Sequence, residues 1–196
     1  MGDIKSAREI AMEKVAELGE ATDEERLRWR YVPEGEKLAV EYLKQGSNLM
    51  VEMSRYDENV RQYIIEGTGD ILIRNISMPK DDLAKKSNKR VMDGLKVIKS
   101  DKVGVENVYS RMRHLFDHHS KEGEQQRQQA YERLKAEFEA KVQQAIAQQG
   151  GTLPGIKIDI ERQPQFQEQW RKVLSQLESQ YITLLDEYKH ELKAIL

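Results

Sequence analysis

The chain contains no cysteine, which excludes a disulfide framework, thiolate metal sites and a cysteine nucleophile. It has only four prolines in 196 residues, so long stretches run without a helix breaker. No run approaches the ~18 consecutive apolar residues that a bilayer-spanning helix requires. The opening Met1 to Ser6 leads into an acidic amphipathic stretch rather than a signal peptide. A cytoplasmic protein with no membrane partner is expected. Catalytic motifs are missing as well. Gly67-Thr68-Gly69-Asp70 lacks the third glycine of a dinucleotide loop and the Gly-Lys-Ser/Thr of a triphosphate loop, and no serine sits on a glycine elbow. Neither an enzyme nor a cofactor is expected, and Gly67 to Asp70 reads as a turn.

Charge is what the chain has in quantity, at 34% of residues, against a hydrophobic share of 38% and a mean hydropathy of -0.77. That balance suits helices with wide solvated faces. The expected fold is all-α, with a body of short helices over 1–102 and a long antiparallel helical hairpin over 103–196 that turns near 150–162. In the hairpin, Tyr131, Leu134, Phe138, Val142 and Ala145 recur at three- and four-residue steps. The return arm repeats the pattern through Phe166, Trp170, Val173, Leu177, Tyr181, Leu184, Tyr188, Leu192 and Ile195, the spacing of one stripe down a helix. Two such stripes cover each other in a coiled-coil-like seam, and whatever stays uncovered is open to a second subunit. Phe166, Trp170, Val173, Leu177, Tyr181, Leu184 and Tyr188 are therefore the expected self-association residues. Asp117 to Gln129, without a large aliphatic or aromatic side chain, reads as a solvated helix or a break at Gly123, with continuous helix the expectation.

Upstream, Asp3 to Leu18 reads as a first helix, and Thr22 with Glu25 has capping-box spacing for a short helix through Trp29. Pro33 is expected to end that helix and start the next, which stops at Gly46. A fourth begins at Ser47 or Asn48 and ends at Gly67, and Trp29, Tyr31, Tyr42, Tyr56 and Tyr63 read as core. Ile71 to Ile76 leans toward a strand, with a single helical turn as the alternative. Ile156, Ile158 and Ile160 alternate with Lys157 and Asp159, so 156–160 is either a strand, paired with 71–76 or with a second chain, or an ordered loop against the hairpin tip.

Two clusters are candidates for chemistry. His114 and His118 lie four apart with Glu122 one turn on, the minimal helical geometry for a divalent metal; ordinary solvated histidines are the competing reading. Residues 80–102 hold eight Lys or Arg against four Asp. Within them Lys85, Lys86, Lys89, Arg90 and Lys96 are placed to meet phosphates or an acidic partner, or to form a solvated face paired with the acidic first third. A net charge of -2 predicts no bulk attraction to nucleic acid. Glu187 and His190 have a di-iron bundle spacing in a single copy and read as surface. The expected function is non-enzymatic interaction and homo-oligomerisation through the hairpin, with a further protein partner. The alternative is a metal- or nucleic-acid-binding regulator using the 114–122 cluster or the basic segment.

Overall fold

The computed structural model describes residues 21–148 and 159–195. The helix expected over Asp3 to Leu18, the reversal at Gly150 to Gly155 and most of the 156–160 segment lie outside them. Among the described residues the fold is all-α, with six α-helices, one 3-10 turn and no strand. No helix among them is long and apolar enough to cross a membrane. The chain divides into two compact units between Leu72 and Ile73, ahead of the 102/103 boundary expected from composition.

In the first unit, α1 spans Asp23–Gln45. Thr22 and Glu25 form the expected capping box, with the Thr22 amide donating to Glu25 Oε2 at 2.8 Å and the Glu25 amide to Thr22 Oγ1 at 3.2 Å. Gly46 ends the helix with φ 75°, its N–H donating to Tyr42 O at 3.0 Å. Pro33 does not break it. The ring sits inside one continuous helix, where it forfeits one backbone hydrogen bond, and burial of Gly35, Leu38 and Ala39 beyond it holds the helix together. Trp29, expected in the core, is 67% exposed. Tyr31 instead meets Tyr56 edge to face at 6.5 Å.

Asn48 caps the short α2, Leu49–Met53, by accepting from the Met50 and Val51 amides. Helix α3, Glu58–Arg74, then runs straight through Gly67-Thr68-Gly69-Asp70. The expected turn there is helix, and of the two readings of 71–76 the helical turn holds for Ile71 to Arg74, with Asn75 and Ile76 beyond the helix end. The reason is packing rather than propensity. A Cβ on Gly67 would lie 2.0 Å from Val32 O, and one on Gly35 would lie 2.3 Å from Ile64 O. The two glycines thus let α1 and α3 cross backbone to backbone, and buried Thr68 donates across that crossing to Gly35 O at 3.0 Å. Ile64 and Leu72 are fully buried, which outweighs the ~1 kcal/mol that a helical glycine costs.

The second unit contains α4 (Asp82–Ile98), α5 (Lys102–Gln148), a 3-10 turn (Ile160–Arg162) and α6 (Pro164–Ala194). Asp81 caps α4 by accepting from the Ala84 amide at 2.7 Å. Val91, Leu95 and Ile98 are buried on its inner face, and Tyr109 on α5 donates to Met92 O at 2.9 Å. Helix α5 has 47 residues, about 70 Å at 1.5 Å each. Along it Arg111 meets Glu191, His119 meets Glu178, and Tyr131 meets Trp170. Numbers rise on one arm as they fall on the other, so α5 and α6 form an antiparallel hairpin.

Substituting Gly67 by Ala tests the backbone crossing. The added methyl is expected to lower stability by about 1–3 kcal/mol in urea unfolding followed by circular dichroism. A neutral or stabilising substitution, the result helix propensity alone predicts, would show that α1 and α3 do not approach so closely.

Candidate functional site

Only the near part of the hairpin buries apolar residues deeply on α5: Val105, Val108, Tyr109, Met112 and Leu115. Beyond them comes the stretch expected to be solvated. It is solvated except along one face. His119 is 6% exposed and Gly123 is buried, because α6 packs here through polar groups. His119, Gly123 and Arg127 are spaced four apart and share one face.

Glu178 on α6 is the acceptor at the centre. His119 Nε2 lies 2.8 Å from its Oε2, and Arg127 Nη1 donates to its Oε1 at 2.8 Å. Arg127 Nη1 is also 3.0 Å from His119 Nε2. The tautomer of His119 decides its partner, since a protonated Nε2 donates to Glu178 and a bare Nε2 accepts from Arg127. Arg127 also donates through Nη2 to Glu124 Oε2 at 2.6 Å, which leaves it between two carboxylates. Tyr181 closes the cluster. Its ring stands edge to face on His119 at 4.9 Å, its hydroxyl lies 2.9 Å from His118 Nδ1, and a Cβ on Gly123 would come within 3.1 Å of that hydroxyl. Burial raises the Tyr181 pKa, so the phenol stays neutral and hydrogen-bonding. Each polar group is held by a neighbour, and the arrangement acts as a clamp between helices.

The metal candidate is not gathered. His114, His118 and Glu122 are all exposed, and His118 is engaged by Tyr181. Among the described residues no group of three or more His, Cys, Asp or Glu is placed to hold a metal ion. Glu187 and His190 are exposed on α6.

The self-association stripe is split. Phe166 and Tyr181 are buried, and Tyr131 packs edge to face on Phe166 at 5.6 Å and on Trp170 at 5.1 Å. Leu185, at 4% exposed, takes the core position expected for Leu184, which stays 40% exposed. The three-residue step from Tyr181 to Leu184 and the four-residue step to Leu185 fit a helix equally well, and the α5 surface selects the latter. Trp170, Val173, Leu177 and Tyr188 remain half-buried.

The basic segment is also divided. Lys85, Lys89 and Lys96 line a groove of about 530 Å³ with Arg113 of α5, over Pro79, Met92, Tyr109 and Phe116. Lys86 and Arg90 are not part of that lining. A second hollow of about 610 Å³ adjoins it through Pro79, Lys85 and Ser120, and reaches His119, Arg127, Glu178 and Ile182. One wall is fixed by Asn88, 3% exposed, which accepts from the Ser77 amide at 3.1 Å and donates to Ser77 O at 2.6 Å. Sequence reading missed Arg127, Glu178 and Asn88. The four-residue spacing of His119, Gly123 and Arg127 was the one available signal.

A model described as a family of unknown function (DUF6657) matches residues 50–194. No curated protein and no solved structure matches the chain. The match takes in most of the chain, from α2 to the end of α6, and the protein belongs to that family.

Glu178→Leu removes the acceptor shared by His119 and Arg127 and is expected to cost roughly 1–3 kcal/mol in urea unfolding. A double-mutant cycle with Arg127→Leu should give a coupling above about 0.5 kcal/mol; strictly additive losses would show that the clamp is not one unit. A second test uses acid. Hydrogen bonding by Arg111 holds Glu191 below its ordinary pKa of 4.5. A carboxyl depressed in the folded state stabilises fully above its unfolded value, and that contribution disappears as pH falls through the folded one. The decline in Tm below pH 4.5 should accordingly be shallower for Glu191→Gln than for the unmodified chain, as followed by thermal melts across the acid range.

Proposed function

We propose that this family member is a non-enzymatic, cytoplasmic helical interaction protein that self-associates through the flank of α6 left uncovered by α5. The observation that carries the reading is the row Trp170, Val173, Leu177, Leu184 and Tyr188. Its members recur at helical steps, four of them are half-buried, and Leu184 is 40% exposed. A second helix laid along such a row would complete its burial, at roughly 25 cal/mol for each Å² of apolar surface removed from water. The charged flanks set the register of such a pair, as at coiled-coil e and g positions.

Non-enzymatic action is supported by the setting of His119, the buried histidine of the clamp. His119 is 6% exposed, and its Nε2 is taken up between Glu178 at 2.8 Å and Arg127 at 3.0 Å. A histidine so held serves the fold, whereas a general base needs a substrate proton within hydrogen-bond reach.

Multi-angle light scattering over a wide concentration range should show a dimer or larger form. Leu184→Glu should raise its dissociation constant by more than about tenfold while leaving the helical circular dichroism unchanged, since charge at an apolar interface is desolvated without a partner. A compact monomer at every concentration would remove this reading.

A further inference from the structure

We infer that the groove between α4 and α5 is a binding site for a small amphiphilic anion, a molecule with an apolar body and a carboxylate, sulfonate or phosphate head. The inference is independent of self-association, because Leu184 and its row take no part in the lining.

The floor accounts for the apolar body. Pro79, Met92 and Tyr109 are buried and Phe116 half-buried at the base of an opening of about 530 Å³, within the range of small-molecule sites. Tyr109 brings no polar demand of its own, since its hydroxyl already donates to Met92 O. The wall is preorganised. The Asn88 amide grips both backbone groups of Ser77 and so holds the approach to Met78 and Pro79 against α4, which lowers the ordering cost of binding.

The rim accounts for the anionic head. Lys85, Lys89 and Lys96 follow one face of α4, and Arg113 faces them from α5. Lys96 and Arg113 share one carboxylate, Glu106, so two cations are balanced by a single negative charge. Lys89 has no ion pair among the described residues. Lys85 is paired with Asp82 at 3.1 Å, and of the two carboxylates in the lining Asp117 is engaged by Lys121 at 2.9 Å while Asp93 offsets one cation, which leaves the rim one positive charge in excess. The excess of cations above an apolar floor favours a ligand with both characters over a polyanion, which would have no use for Met92 and Phe116. Nucleic acid is disfavoured further because Tyr109 is buried and offers no free ring face for stacking.

Isothermal titration of the full chain with decanoate, with 1-decanol and with polyglutamate tests the site. Decanoate is expected to bind at least about tenfold more tightly than decanol, the worth of one charge-assisted contact. Lys89→Glu should weaken decanoate by about tenfold or more. Met92→Trp, which fills the floor, should weaken it with the rim intact. Lys86→Glu, on the same helix but outside the lining, makes the same change in net charge and should leave affinity within about twofold, as an exposed charge that does not touch the ligand is screened by water and salt. Equal binding of decanol, an equal loss in Lys86→Glu, or binding of polyglutamate without decanoate would each overturn the assignment. Repeating the titration on Leu184→Glu keeps the two proposals apart, since a monomeric variant that still binds decanoate preserves the groove and a dimer that does not bind it rejects the groove alone.

Discussion

Two long amphipathic helices laid side by side are free to slide unless something fixes one turn against one turn, because an apolar stripe looks much the same at each repeat. In this protein that constraint is the contact of Glu178 with His119 and Arg127, backed by Tyr181 lying over Gly123. A shift of one helical turn would move Glu178 about 5.4 Å from its donors and set the tyrosine against a side chain instead of a glycine. The ring contacts of Tyr131 with Phe166 and Trp170 add burial to the seam. The polar clamp chooses where that burial happens.

The first unit solves a related problem differently. Its crossing helices are located by the absence of side chains at Gly35 and Gly67, with the Thr68 hydroxyl bridging to Gly35 O. Close approach of two backbones leaves very little tolerance for rotation. The second unit uses charge to fix register and the first uses shape. Both solutions fall in places where simple hydrophobic periodicity is weakest.

That explains which parts were legible in the sequence. The all-α class, the capping box at Thr22 and Glu25, the Gly46 stop and the antiparallel arms follow from local patterns that the structure repeats. The helix through Gly67 to Arg74 did not, because glycine and β-branched residues carry local preferences against helix while the reason for a helix there is a contact with Val32 and Gly35, over thirty positions away in the chain. Pro33 was misread in the same way, its local penalty being offset by burial further along α1. At the candidate site, periodicity found the stripe but not which of Leu184 and Leu185 turns inward, since adjacent leucines satisfy the same spacing. The polar stretch from Asp117 faces solvent as its composition indicates, except along the face of His119, Gly123 and Arg127, which hydrophobicity cannot reveal because its contacts with α6 are polar. Of the five basic candidates on α4, three share the groove face, a selection that depends on what α5 places opposite.

The position of the clamp along the arms also has a consequence for how this hairpin can change in length. Residues between the clamp and α4 are tied at both ends, by Glu178 on one side and by Tyr109 and Arg111 on the other, so an insertion there would throw one attachment out of phase. Past Phe138, which packs on Phe166 at 5.4 Å just beyond the Lys135–Glu161 ion pair, no ion pair or ring contact joins α5 to α6 among the described residues, and the later apolar residues of α5 are at most half-covered. Natural variation in arm length should therefore accumulate at the turn end, as matched additions of about seven residues to both strands of the hairpin, while the segment from Arg111 to Arg127 keeps a fixed span.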